Sequence, residues 1–172
     1  IVVDQMSLFF TLIFGSVATL VVVASYDYLE GQQNLAEYYS LVALAATGMS
    51  LMAVANNLAT VFVSLELASL PSYGLVAYLK TNKGSVEAGL KYFLIGALSS
   101  SVMVYGISLV YGVTGTLDLQ AIARAVAELS GSQGILGLGV LLLIGGFLFK
   151  TASVPFHFWA PEAYEGAPAP IS

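Results

Sequence analysis

The sequence predicts an all-α integral membrane protein, a transmembrane helix bundle of about five spans whose last span is a discontinuous helix broken near Lys150–Pro155. Three observations carry this reading. The 172 residues are 58% hydrophobic and only 9% charged, where a soluble domain carries about a quarter charged residues. The apolar residues fall in five runs of about 20, the length that crosses a ~30 Å hydrocarbon core. The runs lack strict alternation, so their backbone groups are satisfied within helices rather than around a barrel.

The spans read as 6–26, 36–56, 58–79, 86–112 and 133–154, within a single transmembrane domain over 1–172. Only Asn56–Asn57 separates the second from the third, a tight turn that makes them an antiparallel pair. Loops alternate sides, so the loop with Lys80 and Lys83 shares a side with Asp27, Glu30 and Glu37, and Arg124 lies opposite. Cations favour the inner side, which places the Lys80/Lys83 loop in the cytoplasm. In the connection 118–129, Leu119, Ile122, Ala123, Val126 and Leu129 recur at helical spacing, the pattern of a short amphipathic helix along the interface. Tyr26, Tyr28, Tyr38, Tyr39, Tyr78, Tyr111, Trp159 and Tyr164 flank the spans as an aromatic belt. Gly96 and Ser100, among Ala97, Ser99 and Ser101, form a small face that packs against another helix or lines a polar path. The chain starts at Ile1 and ends in Gly166-Ala-Pro-Ala-Pro-Ile-Ser172, and it reads as a fragment without a cleavable signal peptide.

Composition excludes several functions. The chain has no cysteine and one histidine, His157, which removes iron–sulfur ligation and disulfides. It holds no dinucleotide or phosphate-binding glycine pattern, and no basic run for nucleic acid. No metal site is expected.

The charges inside the spans carry the functional signal. Glu66 lies about eight residues into the third span, roughly 12 Å deep, where a carboxyl costs roughly 2.5–3.5 kcal/mol on insertion scales. Ser69 and Tyr73 share its helical face, and Pro71 frees the carbonyl of Leu67 beside it. Glu66 is therefore either a neutral acid satisfied by these hydroxyls or an ionisable relay member. Lys91 follows Glu87 by four residues, the order that favours a helix pair, and is close enough to the span end to snorkel. Lys150 closes the run Ile135 to Phe149, with Gly145–Gly146 before it and Pro155 after it. That spacing fits a broken helix exposing backbone dipoles, or a lysine snorkelling from the span end. His157 is the one group that titrates near neutrality unperturbed, and it is either a proton shuttle or an interfacial histidine among aromatics.

Three stretches bring these residues together: Glu66-Leu-Ala-Ser-Leu-Pro71-Ser-Tyr73, Glu87-Ala-Gly-Leu-Lys91-Tyr-Phe, and Gly146-Phe-Leu-Phe-Lys150-Thr-Ala-Ser-Val-Pro155-Phe-His-Phe-Trp159-Ala-Pro-Glu-Ala-Tyr-Glu-Gly-Ala-Pro168. In order and spacing they resemble the antiporter-like membrane subunits of respiratory complex I, over essentially the whole chain. Glu162 stands where the family more often has aspartate. The resemblance implies an antiporter-like transmembrane helix bundle covering most of the first of two inverted five-helix repeats. It implies that Glu66 pairs with Lys150 as a proton-carrying site, with Lys91 and His157 as further members of the polar axis. It also implies partner membrane subunits, flavin, iron–sulfur centres and quinone on those partners, no cofactor in this chain, and a prokaryotic plasma membrane. Electron donor and acceptor lie outside the chain.

The expected function is that of a proton-translocating, non-redox subunit of a complex I-like NADH-quinone (or related donor) oxidoreductase. A multisubunit cation/proton antiporter and a structural membrane scaffold are the alternatives. Straight helices place Glu66 and Lys150 about 9 Å apart in height, so their contact needs tilt, a helix break or a bridging group.

Overall fold

The computed structural model describes residues 1–32, 34–128, 131 and 133–172. Its helices are α1 (Gln5–Tyr28), α2 (Leu35–Ala53), α3 (Leu58–Val76), α4 (Lys83–Thr114), α5 (Leu119–Glu128), α6 (Gln133–Lys150) and α7 (Trp159–Gly166). All but α5 and α7 are long and apolar enough to cross a membrane. The protein is an integral, multi-pass membrane protein built as a helix bundle.

Capping chemistry sets the helix ends. Asp4 opens α1 with a capping box: its carboxylate accepts from the Ser7 amide at 2.7 Å, and its own amide donates to Ser7 Oγ at 2.8 Å. The Ser7 backbone bond and then the Ser7 hydroxyl hold the Asp4 carboxyl below its ordinary value. A depressed folded value means the cap is fully stabilising above the unfolded carboxylate range and is lost as pH falls through the folded one. Amide protection in the first turn of α1 should therefore persist through mildly acidic pH and collapse only in strong acid. Asp4→Ala should remove that protection, and its pH dependence, throughout. Asn57 caps α3 and Asn82 caps α4, each accepting from the amide two residues on.

The second and third spans form the antiparallel pair expected of them. Their connection is 54–57 rather than two residues, because α2 stops at Ala53. Within the pair the backbones approach closely: a Cβ on Gly48 of α2 would lie 2.7 Å from the carbonyl carbon of Leu67 on α3. At the other end Tyr38 packs edge-on against Tyr78, with ring centres 4.9 Å apart. Tyr38 is fully buried and its hydroxyl bonds Ser25 at 2.8 Å. Tyr78 is also buried. These two rings are core residues and not part of an aromatic belt: their helix ends turn toward α1 instead of lipid. The buried phenol of Tyr78 titrates above its ordinary value, chiefly through loss of solvent. Tyr26, Tyr28, Tyr111 and Tyr164 remain exposed.

Two loop layers confirm the alternation of sides. On one, the Val2 amide donates to Val54 and the Leu58 amide to Leu117, and Asn57 and Asp118 form an antiparallel bridge. On the other, Lys80 lies 3.6 Å from Glu37. The amphipathic helix over 118–129 is observed as α5; Leu119 and Val126 keep apolar exposure, and Leu129 lies outside the described residues.

The fifth span ends at Lys150, four residues before the expected 154. The Ser153 amide donates to Leu148 and the Ala152 amide to Phe149, with Ala152 at φ 51°. This is a left-handed C-terminal cap, made here by alanine rather than glycine. Residues 151–158 are non-helical, and α7 then folds back on the start of α4, where a Cβ on Gly166 would meet Gly84 and Ala88. The span is thus interrupted just past Lys150.

Candidate functional site at the Glu66–Lys150 pair

Three helices converge on one polar cluster inside the bundle. α3 supplies Glu66, Ser69 and Tyr73 on one face, at the i, i+3, i+7 spacing that aligns side chains. Pro71 sits buried within this helix. α4 runs antiparallel to α3 and supplies Ser100, whose hydroxyl donates to Glu66 Oε1 at 2.6 Å. α6 runs antiparallel to α4: Gly106 and Gly139 abut through their backbones, and Ser99 donates to the Gly146 carbonyl at 3.4 Å. That register sets Gly146 level with Ser99, and Lys150 one turn beyond.

The lysine then reaches back. Helical side chains lean toward the helix N-terminus, and the N-terminus of α6 points away from the Lys80 side. Lys150 Nζ donates to Ser69 Oγ at 2.8 Å and to Tyr73 Oη at 3.1 Å, and lies 3.6 Å from Glu66 Oε1. The side chains of Lys150 and Glu66 are only 12% and 20% exposed. Lean, stem length and the early end of α6 close the gap in height that straight spans predict. Lys150 also lies in the last turn of α6, where the helix dipole favours a cation.

Aromatic rings enclose the side of this cluster that faces the Lys80 loop. Tyr73 meets Tyr92 edge-on at 4.5 Å, Tyr92 stacks on Trp159 at 4.4 Å, and Trp159 contacts Phe149. Trp159 Nε1 donates to the Phe149 carbonyl at 3.1 Å, tying the loop after α6 to the helix end that carries Lys150. Trp159 is a packing anchor rather than a belt residue.

Lys91 and His157 stand apart from this pair. Lys91 bridges Glu87 at 2.9 Å and Glu162 at 2.8 Å. The pairing with Glu87 follows from the four-residue spacing; Glu162 comes from α7, a helix without a signal in the hydropathy pattern. His157 stacks on Phe158, with its Nδ1 buried and without a hydrogen-bond partner among the described residues. Neither residue bonds Glu66 or Lys150 directly. Ser100 is the partner of Glu66 that sequence reasoning did not single out, although its place in the small face of α4 was visible. The described residues contain no cluster of three or more metal-ligating side chains.

Chemically, the cluster is a carboxyl and an amine held inside membrane spans by three neutral hydroxyls. Such groups can exchange protons with one another and with a neighbouring carrier.

Comparison with known proteins places the sequence and the fold. Residues 55–172 match the model of the family described as NADH:quinone oxidoreductase/Mrp antiporter, transmembrane. The chain is 43% identical, over 99% of its length, to the NADH-quinone oxidoreductase subunit N of Myxococcus xanthus, and covers 33% of that protein. It is likewise 43% identical to the F(420)H(2) dehydrogenase subunit N of Methanosarcina mazei, over 99% of this chain and 34% of the relative. A chain of respiratory complex I from Thermus thermophilus, in a structure with bound aureothin, superposes with a TM-score of 0.80 at 38% identity. That match covers 98% of this chain and 36% of the other. The chain therefore spans about a third of the length of the relatives it matches. The match over most of its length shows that the chain belongs to the NADH:quinone oxidoreductase/Mrp antiporter transmembrane family.

Proposed function

We propose that this chain is part of a subunit N-like, proton-translocating membrane subunit of a complex I-like oxidoreductase, and that Glu66 and Lys150 are its central proton site. The observation that carries the proposal is the 3.6 Å approach of these two side chains within the spans, with the ammonium bonded to hydroxyls of α3. A proton resides on Lys150 Nζ while Glu66 faces it as a carboxylate. Moving that carboxylate away weakens the hold on the proton, which passes to a neighbouring carrier, and its return favours reloading. Lys91 and His157 serve as further carriers, the buried Nδ1 of His157 having no hydrogen-bond partner among the described residues.

In this reading the chain makes up most of the first of two inverted repeats in one transmembrane domain. The flavin, iron–sulfur and quinone chemistry belongs to partner subunits. The assembly sits in a prokaryotic plasma membrane with the Lys80/Lys83 loop in the cytoplasm.

The family name also covers cation/proton antiporters, and one experiment separates the two. Mild detergent extraction of the full-length protein should retain iron–sulfur subunits, and proton translocation should depend on their electron transfer. Sodium-dependent transport in a complex free of such subunits would instead assign the chain to the antiporter branch.

A further inference from the structure

We infer that Tyr73 is a positioning residue for Lys150, and that Gly96 on the facing helix makes room for it; the inference rests on the proton-site reading above. An ammonium has three N–H donors. The nearest acceptors of Lys150 are the neutral oxygens of Ser69 at 2.8 Å and Tyr73 at 3.1 Å. The Glu66 carboxylate, at 3.6 Å, is beyond hydrogen-bond length. Ser69 donates its own proton to the Leu65 carbonyl at 2.6 Å, so a lone pair faces the lysine.

The Tyr73 ring is fixed from several directions. Tyr92 meets it edge-on at 4.5 Å and Phe93 at 5.8 Å. Gly96 lies directly against its hydroxyl end: a Cβ there would stand 2.7 Å from Cζ and 3.0 Å from Cε1 of Tyr73, and closer still to its oxygen. Any side chain at position 96 pushes the ring, and with it the hydroxyl, off its place. A glycine of α4 thus sets a tyrosine of α3, which sets an ammonium of α6. The two hydroxyls hold the lysine off its carboxylate, so the ion pair stays long and its proton is free to exchange rather than locked in a contact bond. The titratable groups around the amine are Glu66 and Tyr73 on α3; Tyr92 on α4 faces Tyr73.

The test is Tyr73→Phe in the intact membrane complex, since phenylalanine keeps the ring contacts and removes only the hydroxyl. Proton translocation should fall about tenfold, the scale of one hydrogen bond to a charged group, and its pH profile should be displaced. In a Lys150→Ala background the same substitution should change nothing further, which a purely structural role for Tyr73 would not produce. Gly96→Ala should reproduce the defect; if that variant does not assemble, Tyr73→Phe decides. Parental translocation and an unmoved pH profile in fully assembled Tyr73→Phe, alongside a strong Lys150→Ala defect, overturn the role of Tyr73 alone. An unaffected Lys150→Ala complex overturns the proton-site reading and the inference together.

Discussion

Lys150→Ala should reduce proton translocation about a hundredfold, the scale of a lost acid–base group, while the redox subunits stay assembled. The expectation follows from position. Lys150 reaches Ser69, Tyr73 and Glu66 from the last turn of α6, and the chain's other cations lie elsewhere. Lys91 is half exposed between two carboxylates, Lys80 pairs with Glu37 at the loop layer, Lys83 opens α4, and Arg124 lies on α5. None can substitute for an amine that is 12% exposed inside the bundle. Glu66→Ala should act in the same direction, because it removes the charge opposing the ammonium. Proton uptake into vesicles, normalised to electron transfer, measures both; unchanged translocation in assembled Lys150→Ala would remove Lys150 from the mechanism.

Gly48→Ala should lower stability by about 3 kcal/mol, the upper range for overpacking, and reduce the amount of assembled subunit. The added methyl meets main chain: the carbonyl carbon of Leu67 at 2.7 Å and Cα of Ala68 at 2.8 Å. A backbone cannot rotate aside as a side chain can, so α3 itself must shift. The displaced residues adjoin Glu66, and the polar cluster should loosen with the helix. Gly15→Ala is the control, since nothing lies within 4 Å of a Cβ there. Thermal unfolding of the purified complex in detergent distinguishes the two; equal stability of Gly48→Ala and the parent would show that the α2–α3 approach is softer than its geometry implies.

The spans were legible because lipid leaves the backbone only helices and marks them with apolar length. Their ends were less so. The stop at Lys150 depends on Ala152 adopting a left-handed conformation, a role sequence usually announces with glycine. Glu66 and Lys150 stood out individually because charge within a span is costly. The family resemblance implies their pairing, but spacing alone does not, since the contact depends on the register of α4 against α6 and on the backward lean of a lysine stem. Tyr38 and Trp159 read as belt residues because position along a span does not tell which neighbour a ring faces. Glu162 became a partner of Lys91 only through α7, whose eight residues leave no hydropathy signal.

The most direct test replaces both charges at once, Glu66→Gln with Lys150→Met. Exchanging a buried ion pair for uncharged residues of similar size is often neutral for stability, so structural pairing and proton transfer part company in this variant. If the pair carries protons, the complex assembles with parental stability and electron-transfer centres but does not translocate protons. Parental translocation in the assembled double variant would contradict that claim and leave Glu66 and Lys150 as structural partners.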